Sequence, residues 1–403
     1  MARRPRRSPA RSPAAAAALF LSISWPAAAA AVNGVTDTEV TFGMCSAFSG
    51  GARELGVGMK TGFELAFAAA NEAGGVHGRQ LKLVALDDGY EPERNKVCMK
   101  ELVENKKVFA ITGNVGTPTA VVAVPYALDK KVLFYGAFTG AGLLRQDPPD
   151  RYVINYRASY AEETAATVKY LVEVKRLKPS QIAVFAQEDA YGDAGYNGVA
   201  HQVRRYGFDS SRILRVGYKR NTIDVADAAA TILKNQSRAQ AIIMVPTYKA
   251  AAKFVERVVN AGFKPIFASV SFVGATAFSD ELRALGARYS EGVIVTQVVP
   301  LPTSHATAII RYRDLLKRYS TGEEPNFVSL EGYIAGTILV EALRRTGKAL
   351  DTERLIDTFE TIRGLDLGIG TLISYGPSEH QGSHKVWGTV MDANGVYKTL
   401  EME

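Results

Sequence analysis

Residues 108–142 read VFAITGNVGTPTAVVAVPYALDKKVLFYGAFTGAG and decide the fold class of the chain. The pattern predicts a buried strand (FAITG), a loop (NVGTPT), a helix, and a second strand (VLFYGAF) that ends in the loop TGAG. Open α/β sheets bind ligands at the carboxyl ends of their strands. Thr117, Thr119 and Thr139 place hydroxyls there, and a helix beginning near Thr117 directs free N–H groups at an anion. The stretch predicts a seat for a small carboxylate, although an ordinary βα loop capped by threonine has the same pattern.

The alternation of short apolar strands and helices continues on both sides of this stretch. Strands such as VTFGMCS, LKLVALDD, IAVFAQ and AIIMVP are separated by amphipathic segments, which is typical of βαβ units and a mostly parallel sheet. Helices are predicted over residues 59–71 and 120–129 among others. The segment around residues 152–160, in VINYRASYAEE, indicates a crossover into a second α/β series, and residues 292–299 read as a return crossing. After residue 370 the pattern predicts short β segments joined by turns.

The composition is that of a soluble globular protein with room for two domains. The chain has 403 residues, of which 47% are apolar and 22% are charged, as in ordinary globular proteins. The formal net charge is +7, but five arginines lie within the first eleven residues. Without them the net charge is about +2, so the charge gives no reason to expect nucleic acid binding.

The first 31 residues have the arrangement of an export signal. A basic segment, MARRPRRSPAR, precedes the apolar stretch 14–25 and the small residues AAAAAV, which predicts cleavage near Ala30 or Ala31 and an exported mature protein. The apolar stretch is short for a membrane span. A disordered alanine-rich tail or an anchor is the alternative interpretation.

The cysteines and histidines limit the chemistry of the chain. Cys45 and Cys98 are its two cysteines, and an even number in an exported chain permits a disulfide. Two separate buried thiols are the alternative. The five histidines are scattered and show no close spacing with cysteine, so we expect no metal site.

The sequence carries no pattern of an enzyme. The loop GNVGTPT lacks the Gly-Lys-Ser/Thr ending of a phosphate-binding loop, and no G-x-S-x-G motif occurs. Asp87 and Asp88 are consecutive at the end of a predicted strand, so their carboxylates point to opposite faces. This favours bracing of the loops over shared acid–base chemistry. We therefore expect no catalytic residues and no cofactor.

The order of these segments resembles the type I periplasmic substrate-binding proteins of ABC transporters, in particular the branched-chain amino acid (Leu/Ile/Val) binding branch. The resemblance rests on VTFGMCSAFSGGARELG, NEAGGVHGRQLKLVALDD, ITGNVGTPTA, FYGAFTGAGLLR, AVFAQEDAYGDAG and YGPSEHQGS. It implies an α/β fold of two Rossmann-like lobes with parallel-sheet cores, joined by three crossover strands. The implied boundaries are residues 37–158 plus 297–364 for lobe 1 and residues 159–296 plus 365–403 for lobe 2.

The resemblance also implies a function. Such a protein captures a small amino acid, branched-chain or related, or a similar carboxylate by hinge closure and delivers it to a membrane permease, as a monomer. A ligand sensor of the same fold, or a binder of an aromatic acid, a keto acid or an amide, is an alternative. A third hypothesis is an enzyme or a sugar binder, but a sugar site usually contains stacking tryptophans, and the chain has only Trp25 and Trp387.

Matching positions of the family give a set of expected ligand contacts. The resemblance places the carboxylate at the hydroxyls of Thr117 and Thr139, beside Phe138 and Gly140. From the second lobe it implies contacts from the aromatic side chains of Tyr191 and Tyr248. Each tyrosine is otherwise an ordinary packing residue.

This sequence departs from the family at three places. The acidic residue that holds an α-ammonium group in leucine-type binders is matched by Ser271, and the aromatic contact of the first loop by Leu55. The disulfide near the carboxylate loop is absent, with Tyr90 and Gly116 at its positions. An ammonium group would need another anion, and the candidates are Glu331, Glu188, Asp189 and Glu162. Arg53 is a candidate cation for a second carboxylate, and each of these charges is otherwise a solvated charge or a helix cap.

Overall fold

The computed structural model describes residues 1–2, 4–5 and 32–402. The predicted signal peptide, residues 1–31, lies outside the described residues except at 1–2 and 4–5, and it stays a prediction. No helix in the described part of the chain combines the length and the apolar character needed to cross a membrane. The strands are β1 (Glu39–Ser46), β2 (Gln80–Asp87), β3 (Ala110–Thr112), β4 (Leu133–Tyr135), β5 (Val153–Ile154), β6 (Ile182–Gln187), β7 (Leu214–Tyr218), β8 (Ala241–Val245), β9 (Ile266–Ser269), β10 (Ile294–Gln297), β11 (Leu365–Asp366), β12 (Leu372–Ile373), β13 (Trp387–Met391) and β14 (Tyr397–Leu400).

Helices separate most of these strands, and two of them, α2 and α4, continue into π-helical turns at Glu101–Asn105 and Tyr170–Val174. The helices are α1 (Arg53–Glu72), α2 (Pro92–Lys100), α3 (Thr117–Lys130), α4 (Tyr160–Lys169), α5 (Ala190–Arg205), α6 (Ala226–Lys234), α7 (Tyr248–Asn260), α8 (Ala275–Leu285), α9 (Ala287–Ser290), α10 (Thr307–Tyr319), α11 (Phe327–Thr346) and α12 (Thr352–Phe359).

Two sheets organise the chain. Sheet A has five parallel strands in the order β2-β1-β3-β4-β5. Sheet B has the order β14-β13-β10-β9-β8-β6-β7, with β7, β6, β8, β9 and β10 parallel and the two last strands of the chain antiparallel at one edge. Strands β3, β4 and β8 are buried along their whole length, as expected for parallel strands covered on both faces. The predicted α/β class with parallel-sheet cores is confirmed.

Three late helices return to sheet A after the chain has built most of sheet B. Helices α10 and α11 pack against α1, and α12 packs against α11. The approach of α1 to α11 is close because glycines face each other across it. A Cβ atom on Gly62 would collide with backbone atoms of α11, and one on Gly332 with the backbone of α1.

The structure extends some predicted elements and adds others. Helix α1 begins at Arg53, six residues before the predicted residue 59, and α3 begins at Thr117 rather than at residue 120. Helices α8, α9 and α10 were not predicted from the pattern. The earlier start of α3 matters for function, because it places the N-terminus of that helix at the loop that follows β3.

A disulfide joins the end of β1 to α2. Cys45 and Cys98 are bonded, with their Cα atoms 5.9 Å apart, and they lie 53 residues apart in sequence. Of the two alternatives left open by the sequence, the structure therefore has the bridge and not two separate thiols. The bond fixes α2 against the strand whose carboxyl end opens into the site.

Candidate functional site

Two threonine hydroxyls meet at the carboxyl ends of neighbouring strands of sheet A. Thr117 is the first residue of α3, and Thr139 follows β4. Their Oγ1 atoms are 2.7 Å apart, and both side chains are fully buried. The two loops are held together because the Phe138 N–H donates to the Asn114 carbonyl at 2.8 Å. The sequence placed these hydroxyls together correctly, and we term Thr117 and Thr139 the hydroxyl pair.

The third predicted hydroxyl is not available to a ligand in the same way. Thr119 Oγ1 donates to its own loop, at 2.5 Å from the Val115 carbonyl and 3.0 Å from the Gly116 carbonyl. It also accepts from the Asn114 side chain at 3.2 Å. Thr119 therefore closes the first turn of α3, and the hydroxyl pair is left as the polar floor of the site.

The contact between Tyr90 and Gly116 shapes this loop. Gly116 has a φ of 103°, in the region that favours glycine, and a Cβ atom there would collide with the Tyr90 ring. Tyr90 is fully buried, and its hydroxyl accepts from Gln187 Nε2 at 3.1 Å. These are the two positions where the resemblance expects a disulfide in relatives. Here a ring packed on a glycine holds the same two segments together.

Five aromatic rings line the interface between the two sheets. Phe138 lies 5.2 Å from Phe272, Phe272 lies 4.5 Å from Tyr191, and Tyr191 lies 5.4 Å from Tyr160, measured between ring centroids. Tyr90 lies 6.0 Å from Phe272. All five are buried, and we term them the aromatic cluster. They come from segments of both sheets, so the aromatic cluster joins the two sheets.

Gly140 fits against the aromatic cluster for a steric reason. Its carbonyl accepts from the Tyr160 N–H at 2.8 Å. A Cβ atom on Gly140 would collide with the backbone and ring of Tyr160. The glycine therefore lets α4 begin directly beside the hydroxyl pair.

Next to the aromatic cluster lies a buried group of ions: Arg157, Glu163 and Glu331, which we term the ion cluster. Arg157 Nη2 lies 3.1 Å from Glu163 Oε1, and Nη1 lies 3.5 Å from Glu331 Oε1. Arg157 and Glu163 are fully buried, and Glu331 is 3% exposed. The guanidinium also stands over the Phe138 ring, 4.9 Å from its centroid. A cation–π contact of this kind adds to the stability of the buried cation.

Ser271 is bonded into the ion cluster. Its N–H donates to Glu163 Oε2 at 2.8 Å, and its hydroxyl donates to Glu163 Oε1 at 3.0 Å and accepts from Arg157. Thr296 donates to Glu163 Oε2 at 2.6 Å. The carboxylate that the resemblance expects at position 271 is thus present beside it, as Glu163 of α4, but it is engaged by Arg157.

Burial and charge act in opposite directions on the ionisable groups. Burial disfavours the charged form of Arg157, but the carboxylates of Glu331 and Glu163 outweigh it and raise the pKa of the guanidinium. Burial raises the pKa of Glu331 to about 7, against the attraction of Arg157. The site therefore offers hydroxyl, N–H and guanidinium donors to an anion.

The remaining predicted contacts lie elsewhere. Leu55 and Tyr248 are buried on either side of Gly274 and line an open groove together with Arg53. Arg53 pairs with the adjacent Glu54 at 2.7 Å. The structure thus brings seven of the nine predicted residues to the hydroxyl pair, the aromatic cluster or the ion cluster, and places Leu55 and Tyr248 at the groove.

Three of the candidate partners for an ammonium group have other roles. Asp189 caps α5 and pairs with Arg220 at 3.2 Å. Glu162 caps α4 and accepts from His384 at 2.6 Å. Glu188 lines a separate groove beside Gly217. Of the four candidates, Glu331 is the one that lies in the ion cluster.

Asp87 and Asp88 both brace the loops, a role that the sequence predicted for one of them. Asp87 Oδ1 accepts from the N–H groups of Phe48 and Ser49 at 2.8 and 3.1 Å, and Asp88 accepts from the Tyr90 N–H at 2.8 Å. Hydrogen bonds outweigh burial and lower the pKa of Asp87 to about 2, whereas burial raises that of Asp88 to about 6.

Polar contacts join the two sheets at the rim of the site. Arg220, which follows β7 of sheet B, pairs with Glu91, which follows β2 of sheet A, at 2.8 Å. Asn221 donates to the Gly89 carbonyl at 3.2 Å and to Glu91 at 2.6 Å. The structure therefore has the two sheets closed on each other.

Sequence reasoning missed three residues of the site: Arg157, Tyr160 and Glu163. All three belong to VINYRASYAEE, which was interpreted only as a crossover. A signal was present, because an arginine flanked by Tyr156 and Ala158 within an apolar crossing is unusual unless the charge is paired. That signal indicates a buried ion but does not identify its partners.

Comparisons with known proteins agree with this architecture. The sequence pattern of the periplasmic binding protein family matches residues 39–396. A structure from Rhodopirellula baltica SH 1, described as a possible leucine/isoleucine/valine-binding protein, is 40% identical, with a TM-score of 0.86 over 93% of this chain and 99% of that one. Leu/Ile/Val-binding protein homolog 7 of Brucella abortus (strain 2308) is 24% identical over 356 residues, 84% of each chain.

A more distant structure supports the fold alone. A branched chain amino acid ABC transporter protein from Thermus thermophilus with bound valine is 17% identical, with a TM-score of 0.79 over 91% of this chain and 96% of that one. The family match spans nearly all of the described residues. The resemblance inferred from the sequence is thereby confirmed, and the chain belongs to the periplasmic binding protein family, with the type I fold of the Leu/Ile/Val-binding branch.

Proposed function

We propose that the chain is the extracytoplasmic substrate-binding component of an ABC transporter and captures a small amino acid or a similar carboxylate. The observation that carries the proposal is the hydroxyl pair, two buried hydroxyls 2.7 Å apart at the N-terminus of α3. Hydroxyls and free N–H groups at a helix N-terminus suit a carboxylate, because they donate hydrogen bonds where the helix dipole favours negative charge.

The proposed lobes are residues 37–158 plus 297–364 and residues 159–296 plus 365–403. In support, strands β1 to β5 all belong to sheet A, and α10 to α12 pack on the helices of that sheet. Strands β6 to β10, β13 and β14 all belong to sheet B. The ligand is held between the carboxyl ends of the two sets of parallel strands.

Capture proceeds by closure of the lobes. A ligand that touches both lobes only when they are closed shifts the equilibrium toward that state by its preference for it. The contacts of Arg220 with Glu91 and of Tyr90 with Gln187 then close over it. The proposed ligand contacts are Thr117, Thr139, Phe138, Gly140, Tyr191, Ser271 and Glu331, with Leu55 and Tyr248 at the groove.

The remaining parts of the proposal follow from the family. The chain is exported, loses residues 1–31 near Ala30 or Ala31, acts in the periplasm as a monomer, and passes its ligand to a membrane permease. It performs no covalent chemistry. The names of the Leu/Ile/Val-binding relatives support an amino acid or a related acid as ligand.

Thermal unfolding of the purified protein tests the proposal. Free carboxylates, with or without an amino group, should raise the melting temperature by mass action, whereas the matched amides, alcohols and a panel of sugars should not. Replacing Thr139 by valine should reduce the response at the same ligand concentration. A response to sugars alone, or an equal response to acids and their amides, would overturn the carboxylate seat.

A further inference from the structure

Three buried polar groups in the site have no hydrogen-bond partner in the described part of the chain. They are Nε and Nη1 of Arg157 and the hydroxyl of Tyr160, and Nη1 keeps only its long ion pair with Glu331 at 3.5 Å. Both side chains are at most 1% exposed. An unpartnered donor costs free energy in a buried place, and such groups are rare in native structures. Their presence together indicates that something absent from the protein itself accepts from them.

These groups lie close to the hydroxyl pair. The guanidinium of Arg157 stands over the ring of Phe138, the residue before Thr139. The hydroxyl of Tyr160 lies beside the side chain of Thr139, with which it makes at most a distorted hydrogen bond. A guanidinium has only donors to offer. The unused hydrogen-bond donors beside the hydroxyl pair are therefore suited to an oxygen atom of a ligand.

An ammonium group has no comparable partner there. Glu163 already accepts four hydrogen bonds, two at each oxygen, from Arg157, Ser271 and Thr296, and a carboxylate has about four acceptor positions. A cation placed beside Arg157 would also be repelled by it. Glu331 is the remaining carboxylate, and burial raises its pKa to about 7, so that much of it is neutral at and below neutral pH.

We propose that the ligand is a carboxylate with an oxygen and no ammonium group on C2, that is, a 2-oxo or 2-hydroxy acid with a branched or aromatic tail. The inference rests on the proposed function. The carboxylate occupies the hydroxyl pair and the N-terminus of α3. The C2 oxygen accepts from Arg157 and Tyr160, and the tail lies among the rings of the aromatic cluster.

Titration calorimetry with matched carbon skeletons tests this inference. The purified protein is titrated at pH 6.5 with 4-methyl-2-oxopentanoate against leucine, and with phenylpyruvate and phenyllactate against phenylalanine. In at least one series the oxo or hydroxy acid should bind at least about tenfold more tightly than its amino acid, about 1.4 kcal/mol. Amino acids that bind equally or more tightly would overturn the inference and leave the proposed function standing. If neither acids nor amino acids bind, both are overturned.

Variants test whether the ion cluster and Tyr160 cause the preference for oxo or hydroxy acids over amino acids. The double variant Arg157→Gln with Glu163→Gln removes one charge of each sign, so the net charge is unchanged. It should reduce the preference for the oxo or hydroxy acid over the amino acid to less than threefold. Tyr160→Phe removes one hydroxyl with little change of shape. The affinity for the oxo acid should fall three- to tenfold, whereas the affinity for the amino acid should not change. Arg151→Gln is the matched control, because Arg151 also pairs with carboxylates, three of them, but on the surface. An unchanged preference in Tyr160→Phe and in the double variant would overturn the assignment.

Discussion

The hydroxyl pair and the ion cluster lie side by side, and both are buried, yet they are stabilised in different ways. Two hydroxyls satisfy each other at little cost in free energy, because neither carries a charge. Arg157 and its carboxylates lose their hydration on burial, and each ion is tolerated only while its partner is present. Removing a charge from the ion cluster should therefore damage the fold, whereas removing a hydroxyl from the hydroxyl pair should damage binding.

The largest expected effect is on the ion cluster. Replacing Arg157 by methionine leaves Glu163 and Glu331 buried without their cation, so the free energy of unfolding should fall by about 3–5 kcal/mol. Denaturant titration measures the change. Arg151→Met, at the surface ion pairs, should cost about 1 kcal/mol or less. A loss below about 1 kcal/mol for Arg157→Met would mean that the fold depends no more on the ion cluster than on the hydroxyl pair.

The next effect concerns the platform of the hydroxyl pair. Gly116→Ala places a methyl group against the Tyr90 ring at a φ of 103°, so the free energy of unfolding should fall by about 2–3 kcal/mol. The control is Gly142→Ala, where the added methyl group meets no atom within 4 Å. Equal melting temperatures for the two variants would show that the loop accommodates the methyl group without a loss of stability.

A smaller effect depends on pH. The pKa of Glu331 is raised from 4.5 to about 7 by burial, so the folded state holds this proton more tightly than the unfolded state. Its contribution to stability is complete below about pH 4.5 and is lost as pH rises through about 7. Relative to Glu331→Gln, the wild type should lose on the order of 2 kcal/mol between pH 5 and pH 8, since each pKa unit corresponds to about 1.4 kcal/mol. Parallel stability curves for the two proteins would contradict a buried, protonated Glu331.

The smallest effect on stability should come from the hydroxyl pair. Thr139→Val removes one hydroxyl and should cost about 1 kcal/mol or less in the free energy of unfolding. Affinity for a carboxylate ligand should nevertheless fall at least about tenfold, corresponding to the 1.4 kcal/mol of a lost hydrogen bond to a charged group. Thr139→Ser, which keeps the hydroxyl, should retain affinity within about threefold. If Thr139→Val lost as much stability as Arg157→Met, the hydroxyl pair and the ion cluster would not differ in their role in the fold.

Much of the fold was predictable because its signals are local. Strand β8, AIIMV, is an unbroken apolar run, as parallel strands covered on both faces are. Helix α10 carries a helical period in Ile309, Tyr312 and Leu316, so it was within reach of sequence reasoning. Helix α8 has the same spacing in its buried Ala275, Phe278 and Leu282, although the alanine makes its apolar face weaker than that of α10.

The site divides in the same way. Thr117 and Thr139 were predictable because each follows a recognisable strand, and neighbouring parallel strands end at the same edge of a sheet. The ion cluster was not, because Arg157, Glu163 and Glu331 come from a crossover, from α4 and from α11. Their pairing depends on how those distant segments meet. The sequence can indicate that a charge is buried, but it does not identify the partners of that charge, because they are set by the assembled fold.

The Cys45–Cys98 bridge has a practical consequence for optical experiments. The chain contains two cysteines, and both are in that bond, so the oxidised protein presents no thiol to a maleimide dye. A cysteine introduced at the exposed Thr222, beside the rim contact of Asn221 with Glu91, would be the single labelling position without any change to the native cysteines. Fluorescence from that position would report the proposed closure of the lobes, and each compound of the panels above could be tested for it directly.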